Sequence, residues 1–161
     1  MNTADVAETL ATLFRELVHG APEDGAFVLN RGDHGILASL DRLSADEASL
    51  THDGGASVAA HVEHVYYGLS LMNRWAAGEN PFLDANWATA WQRGTVTDTE
   101  WAERRATLRD ACMQWLGTIG VPRDVNRLEM NGIFGSVAHM AYHIGAMRQI
   151  DRRLKGPSAN D

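Results

Sequence analysis

Apolar residues recur three and four positions apart in four separate stretches of the chain, and each stretch is followed by a glycine with a proline one to three residues behind it. The 3.6-residue period argues for amphipathic helices. A glycine can take the left-handed conformation that closes a helix, and the proline after it cannot continue the hydrogen-bond ladder. The pairs Gly20/Pro22, Gly78/Pro81, Gly120/Pro122 and Gly156/Pro157 therefore read as helix stops. They divide the chain into four principal helices and predict an all-α fold, a four-helix bundle.

The first helix is expected from about Thr3 to His19, with Val6, Leu10, Leu13, Phe14 and Leu17 as its stripe. The second is expected from about Ser57 to Ala77, presenting Val58, His61 or Val62, Val65, Leu69 and Met72. A capping box at Thr97 and Glu100 opens the third, whose stripe is Trp101, Leu108, Cys112, Trp115 and Ile119. The fourth is expected from about Asn131 to Lys155, with Phe134, His139, His143, Met147 and Ile150 turned inward. Helices of this length run roughly 30 Å each and match one another in a bundle.

Between the first two helices, Asp33 to Leu43 reads as a short extra helix, followed by a second capping box at Ser44 and Glu47. Between the second and third lies a long crossover containing Trp87 and Trp91. It is long enough to return along the bundle and leave the helices it joins parallel. No repeat or linker divides residues 1–161, so one domain is expected.

Charge and composition narrow the function. The 161 residues include 14 basic and 21 acidic side chains, a formal charge of -7. Nothing supplies the concentrated positive field that a nucleic-acid binder needs. The single cysteine, Cys112, rules out an intrachain disulfide, and the N-terminal decapeptide has neither a basic nor an apolar leader segment. A cytoplasmic protein is expected. The run from Met130 to Met147 carries no Asp, Glu, Lys or Arg, but its glycines, two histidines, Asn131 and Ser136 make it a poor membrane span. It reads as a helix covered by protein on more than one side, and Gly135, Ala138, Ala141 and Gly145 would let a second copy approach closely in a homodimer.

Four of the 7 histidines fall in two clusters, HVEH at 61–64 and HMAYH at 139–143. His139 and His143 are one helical turn apart, so both imidazoles leave the same face and can meet one ion. A third imidazole from a neighbouring helix, His61 or His64, would complete a facial three-nitrogen site with a coordination position left open. Two familiar metal motifs do not apply. A zincin needs glutamate where Met140 stands, and a ferritin-like di-iron site needs two Glu-x-x-His motifs, whereas only Glu16 to His19 fits.

Ser57-Val-Ala-Ala-His-Val-Glu-His64, the tryptophans Trp87 and Trp91, and the run from Val137 to Gln149 resemble the DinB/YfiT-like superfamily of metalloenzymes. The resemblance covers most of the chain, with its specific motifs on the second and fourth helices. It implies a four-helix bundle, often dimeric, that binds a divalent ion through one histidine of the second helix and the His-x-x-x-His pair of the fourth. Carried over residue by residue, the ligands are His64, His139 and His143, with His61 as a partner behind them or as an alternative ligand. Zinc or nickel is the expected ion, with iron as a further candidate. The implied chemistry is thiol-dependent transfer to a small-molecule substrate with a low-molecular-weight thiol as cosubstrate, or else hydrolysis. The common His-x-Gly-Gln becomes His143-Ile-Gly-Ala in this chain, with Gln149 displaced, so the glutamine's role does not carry over.

Other candidates have plain structural readings. Glu63 points about 100° away from His64 on a helix and is expected to be solvated. Tyr66, Tyr67 and Tyr142 read as packing residues, and Cys112 as an inert buried thiol. The competing function class is a non-catalytic dimeric bundle that binds a metal or another ligand.

Overall fold

The computed structural model describes residues 3–158; the outermost residues of the expected domain, 1–2 and 159–161, lie outside the described residues. Six α-helices follow one another: α1 (Thr3–His19), α2 (Gly35–Leu40), α3 (Ala45–Ala48), α4 (Val58–Ala76), α5 (Asp98–Ile119) and α6 (Arg127–Ile150). Among the described residues there is no strand, and no helix is long and apolar enough to cross a membrane. The chain is all-helical, with its four long helices at the four predicted places.

Local chemistry sets the helix starts. Ser57 caps α4 by accepting from the Ala60 N–H, and Thr97 with Glu100 forms the full reciprocal box at α5. The same box forms at Ser44 and Glu47, but it opens α3, a helix separate from α2. The single extra helix expected over 33–43 is thus a shorter α2, and the box that follows starts its own turn. Helix α6 departs more. Asn126 accepts from the Glu129 N–H and starts the helix before the expected Asn131, and the helix stops at Asp151, whose backbone turns extended while its carboxylate pairs with Arg153. Arg152–Leu154 is a separate 3-10 turn.

The glycine stops work by two mechanisms. Gly20 (φ +106°) and Gly78 (φ +93°) take the left-handed conformation, as expected. Gly120 closes α5 in right-handed geometry, and Gly156 closes no helix. A side chain at Gly156 would collide with the Asp33 carboxylate, so it is kept free of one by close approach, not by capping.

One hydrophobic core links the long helices, with Phe14 and Leu17 from α1, Val62 and Leu69 from α4, and Leu108 and Trp115 from α5 fully or nearly fully buried. The α6 stripe is Ile133, Val137, Met140, Ile144 and Met147. Phe134, expected inward, is 51% exposed. The stripe that satisfies both Met140 and Met147 runs through Ile133 and Val137, which turns the neighbouring Phe134 out. The crossover allows α4 and α5 to run in one direction: Arg104 lies beside Ala59 and Glu63, and further along both helices Asn73 donates to the Ala111 carbonyl. Helix α6 runs the other way against α4, with His143 beside His61 and Gly132 beside Trp75.

The α1–α2 connection is anchored by a buried charge. The Glu16 carboxylate, 1% exposed, accepts the N–H groups of Phe27, Val28 and Leu29 at 3.0, 2.8 and 2.6 Å. Substituting Glu16→Ala strands these donors and is expected to cost about 3 kcal/mol, read as a lower urea midpoint at unchanged slope. Glu16→Gln, which keeps one acceptor oxygen, should cost less; an equal loss in both variants would mean that side-chain volume, not hydrogen bonding, carries the anchor.

Candidate metal centre

Helix α4 carries His61 and His64 to the same layer of the core in which α6 carries His139 and His143. His64 and His143 are buried, and His139 is half-buried. One ligand nitrogen from each of these three lies within 4.8 Å of the others. The nitrogens are the Nε2 atoms: His139 Nε2 stands 3.0 Å from His64 Nε2 and 3.0 Å from His143 Nε2.

Hydrogen bonding does not account for that geometry. A neutral imidazole Nε2 holds either one proton or one lone pair, so His139 Nε2 cannot serve two in-plane partners. A cation held by three lone pairs does account for it. Nitrogens about 2.0–2.1 Å from a zinc ion lie roughly 2.9 Å apart at right angles and roughly 3.3 Å apart at the tetrahedral angle, which brackets the observed spacing. The donor set therefore fits a divalent transition metal.

His61 belongs to the layer behind. Its Nδ1 lies 2.9 Å from His143 Nδ1, the side of that ring away from the Nε2 cluster. With His143 Nε2 committed as a lone-pair donor, its proton sits on Nδ1 and is donated to His61 Nδ1. That is the orienting hydrogen bond that metal-binding histidines need, supplied by an imidazole in place of a carboxylate or carbonyl. The structure thus brings His64, His139 and His143 together through one ring nitrogen each and places His61 against the far side of His143. His64 has no such partner, since its Nδ1 is buried without a hydrogen bond. Its ring is held instead by Trp91, stacked at a centroid distance of 4.2 Å and an interplanar angle of 25°.

The crossover that supplies Trp91 is tied to α4 from both sides. Ser57 Oγ donates to the Gly94 carbonyl at 2.5 Å, and Arg104 of α5 donates to the carbonyls of Arg93 and Ala59 at 2.8 and 3.2 Å. The buried Arg104 guanidinium is matched by Glu63 at 3.3 Å. Glu63, expected to be solvated, is thus an ion-pair partner facing α5 and not a base beside His64. Tyr67 accepts the Asn86 N–H through its hydroxyl at 2.8 Å and steadies the same segment. Tyr142 is exposed, edge-on to His143 at 5.0 Å. Cys112 is wholly buried and its thiol is pushed up to about 12 by desolvation, which makes it inert as expected.

Trp87 closes another side, 5.5 Å from His64 and 6.5 Å from His139 between ring centres. Neither Trp87 nor Trp91 has a determinate place from sequence; their four-residue spacing, once the crossover is folded back over α4, brings both onto the imidazoles. Next to His139 and Trp87 opens a cavity of about 830 Å³, lined by α4, α6 and the start of the crossover.

Burial in this apolar layer disfavours imidazolium. It pushes His64 down to about 4, helped by His139 and His61, and His143 down to about 3, helped by its three neighbours; His61 and His139 are lowered by burial as well. Burial thus favours the neutral form of all four rings, the form in which an imidazole nitrogen keeps a lone pair. In the unfolded chain these histidines titrate near 6.5. The unfolded state therefore takes up protons that the folded state refuses as the pH falls from about 6.5 towards 4, so metal-free protein is expected to lose stability across that window and to be most stable above it. Urea unfolding at pH 7.5 and pH 5 checks this, and His143→Gln should flatten the dependence. An unchanged slope in that variant would contradict the assignment.

No family model matches the chain, no curated protein matches it, and no solved structure matches its fold.

Proposed function

We propose that the protein is a metal-dependent enzyme of the DinB-like type: a four-helix bundle of α1, α4, α5 and α6 in which His64, His139 and His143 hold one divalent ion, zinc or nickel before iron. The observation that carries this reading is the meeting of three Nε2 atoms around one point, with His139 Nε2 3.0 Å from each of the other two. When bound, the ion supplies Lewis acidity and lowers the pKa of a thiol or water brought to it.

The chain's own residues define the rest. Three protein ligands leave a coordination position for an incoming molecule. His61 holds the His143 ring in the tautomer that frees Nε2, and Trp91 fixes the plane of His64. Among the described residues no carboxylate joins the cluster, and Glu63 is engaged by Arg104. Without a carboxylate base, the favoured nucleophile is one that ionises easily, and a thiol, near 8.5 in solution, does so far more readily than water. Thiol-dependent transfer to a small electrophile is therefore preferred to hydrolysis. The cavity beside His139 is of the size that small molecules occupy. The same missing base supports the second reading, a non-catalytic metal- or ligand-binding bundle. The uncharged outer face of α6, with Gly135, Ala138 and Gly145 exposed, supports pairing of two copies.

Metal analysis after loading with zinc or nickel is expected to give one ion per chain, and His139→Ala is expected to weaken binding by at least 100-fold. A ligand at 100 times its Kd stabilises the folded state by about 2.7 kcal/mol, so the loaded wild type should melt several degrees higher and the variant should not. Absence of stoichiometric uptake under every loading condition would end the metal reading. Stoichiometric uptake without turnover of a thiol and a panel of electrophiles would favour the binding protein.

A further inference from the structure

The cavity beside His139 has a lining whose chemistry is one-sided. None of the described residues that line it carries a formal charge, with His139 its single titratable side chain. Trp75, Phe82 and Trp87 supply aromatic surface, with the Trp75 and Phe82 rings edge to face at 5.4 Å. Leu69, Met72 and Met140 supply aliphatic surface, the two methionines being able to adjust to the outline of an occupant.

The polar groups are few and partly spoken for. Ser136 Oγ accepts from the Trp115 indole N–H at 2.8 Å and donates to the Ile133 carbonyl at 2.7 Å, so it is used inside the protein. Asn80 and Asn131, both exposed, remain to orient a ligand by hydrogen bonding. Away from His139, a carboxylate or sulfonate entering this space would lose hydration with no charged side chain to replace it, a cost that apolar contact does not return.

Two glycines of α6 shape the room. A Cβ at Gly132 would stand 2.6 Å from the Trp75 ring, so this glycine lets the indole lie against the helix. A Cβ at Gly135 would meet nothing within 4 Å, although Gly135 lines the cavity. The missing side chain there is space left open for something else.

We propose that this cavity is the binding site for an uncharged, largely apolar small molecule with an aromatic or aliphatic body, seated between Trp75, Trp87 and Gly135 with its reactive end at His139, and that it discriminates against anions. The proposal rests on the functional reading above and supplies its substrate class: the electrophile is the apolar partner, and the carboxylates of a charged thiol would find no charged side chain in this lining to pair with. The volume of about 830 Å³ falls within the range of sites for drug-sized molecules.

The probes are N-phenyl-1-naphthylamine, neutral and fluorescent in apolar surroundings, and its anionic relative 1-anilinonaphthalene-8-sulfonate, titrated into zinc-loaded and zinc-free protein. The neutral probe is expected to bind one site per chain at least tenfold more tightly than the sulfonate. Gly135→Leu, whose Cβ would meet no protein atom within 4 Å and whose isobutyl group occupies the cavity wall, should weaken it at least tenfold while zinc stoichiometry and melting temperature are kept; Gly135→Ala should weaken it less. Equal binding by Gly135→Leu, preference for the sulfonate, or no saturable binding would each overturn the proposal, as would sedimentation data in which the probe is displaced by a second copy closing over the cavity. The two readings fail separately. Saturable neutral-probe binding without zinc uptake removes the metal and leaves the cavity assignment, whereas zinc uptake without probe binding does the reverse.

Discussion

Burying an imidazole nitrogen without a partner is costly, and four imidazoles share one layer of this core with, among the described residues, no carboxylate in their cluster. That constraint organises the surrounding structure. Hydrogen bonding between rings satisfies the His61 and His143 Nδ1 pair, but it leaves the Nε2 atoms of His64, His139 and His143 directed at the same point. Burial keeps every ring neutral, so each Nε2 has a lone pair available when its proton moves to Nδ1. A layer of this kind is costly as packing and well suited to a cation.

Holding the layer together is the work of the crossover. Ser57 serves twice, capping α4 through its Oγ and donating to Gly94, and Arg104 reaches from α5 to two carbonyls that lie on the helix and on the crossover. These contacts seat Trp91 on His64 and bring Trp87 to the edge of the cavity. The charge of Arg104 is balanced by Glu63, the carboxylate next to His64 in sequence, which is thereby turned to α5. The pair thereby keeps Glu63 from acting as a base at the site.

Much of this is legible in the chain. The four long helices, the capping boxes at Ser44 and Thr97, the core stripe of α5 and the pairing of His139 with His143 all follow from interactions within a few residues, which sequence spacing encodes directly. Sequence and structure part where the deciding contact is distant or two local signals compete. A stripe drawn through the histidines puts Phe134 inside, whereas packing of Ile133 and Val137 turns it out. Asn126 overrides the later start expected at Asn131, and the Asp151 pair with Arg153 marks the end before Gly156. Glu63 reads as solvated along the chain because its partner lies on another helix.

Periodicity and capping, being local, determine by themselves that the chain is helical, where its long helices lie and that two histidines share one face. Which imidazole of α4 joins them is a different kind of question. His61 and His64 are one turn apart and nearly equivalent along the chain, so the choice depends on the rotation and depth at which α4 meets α6. Tertiary packing sets both: it directs His64 Nε2 to His139 and places His61 behind His143. The uncharged cavity is likewise a product of assembly, since its walls come from α4 and α6, some 60 residues apart along the chain, and from Trp87, which reaches them when the crossover folds back over α4.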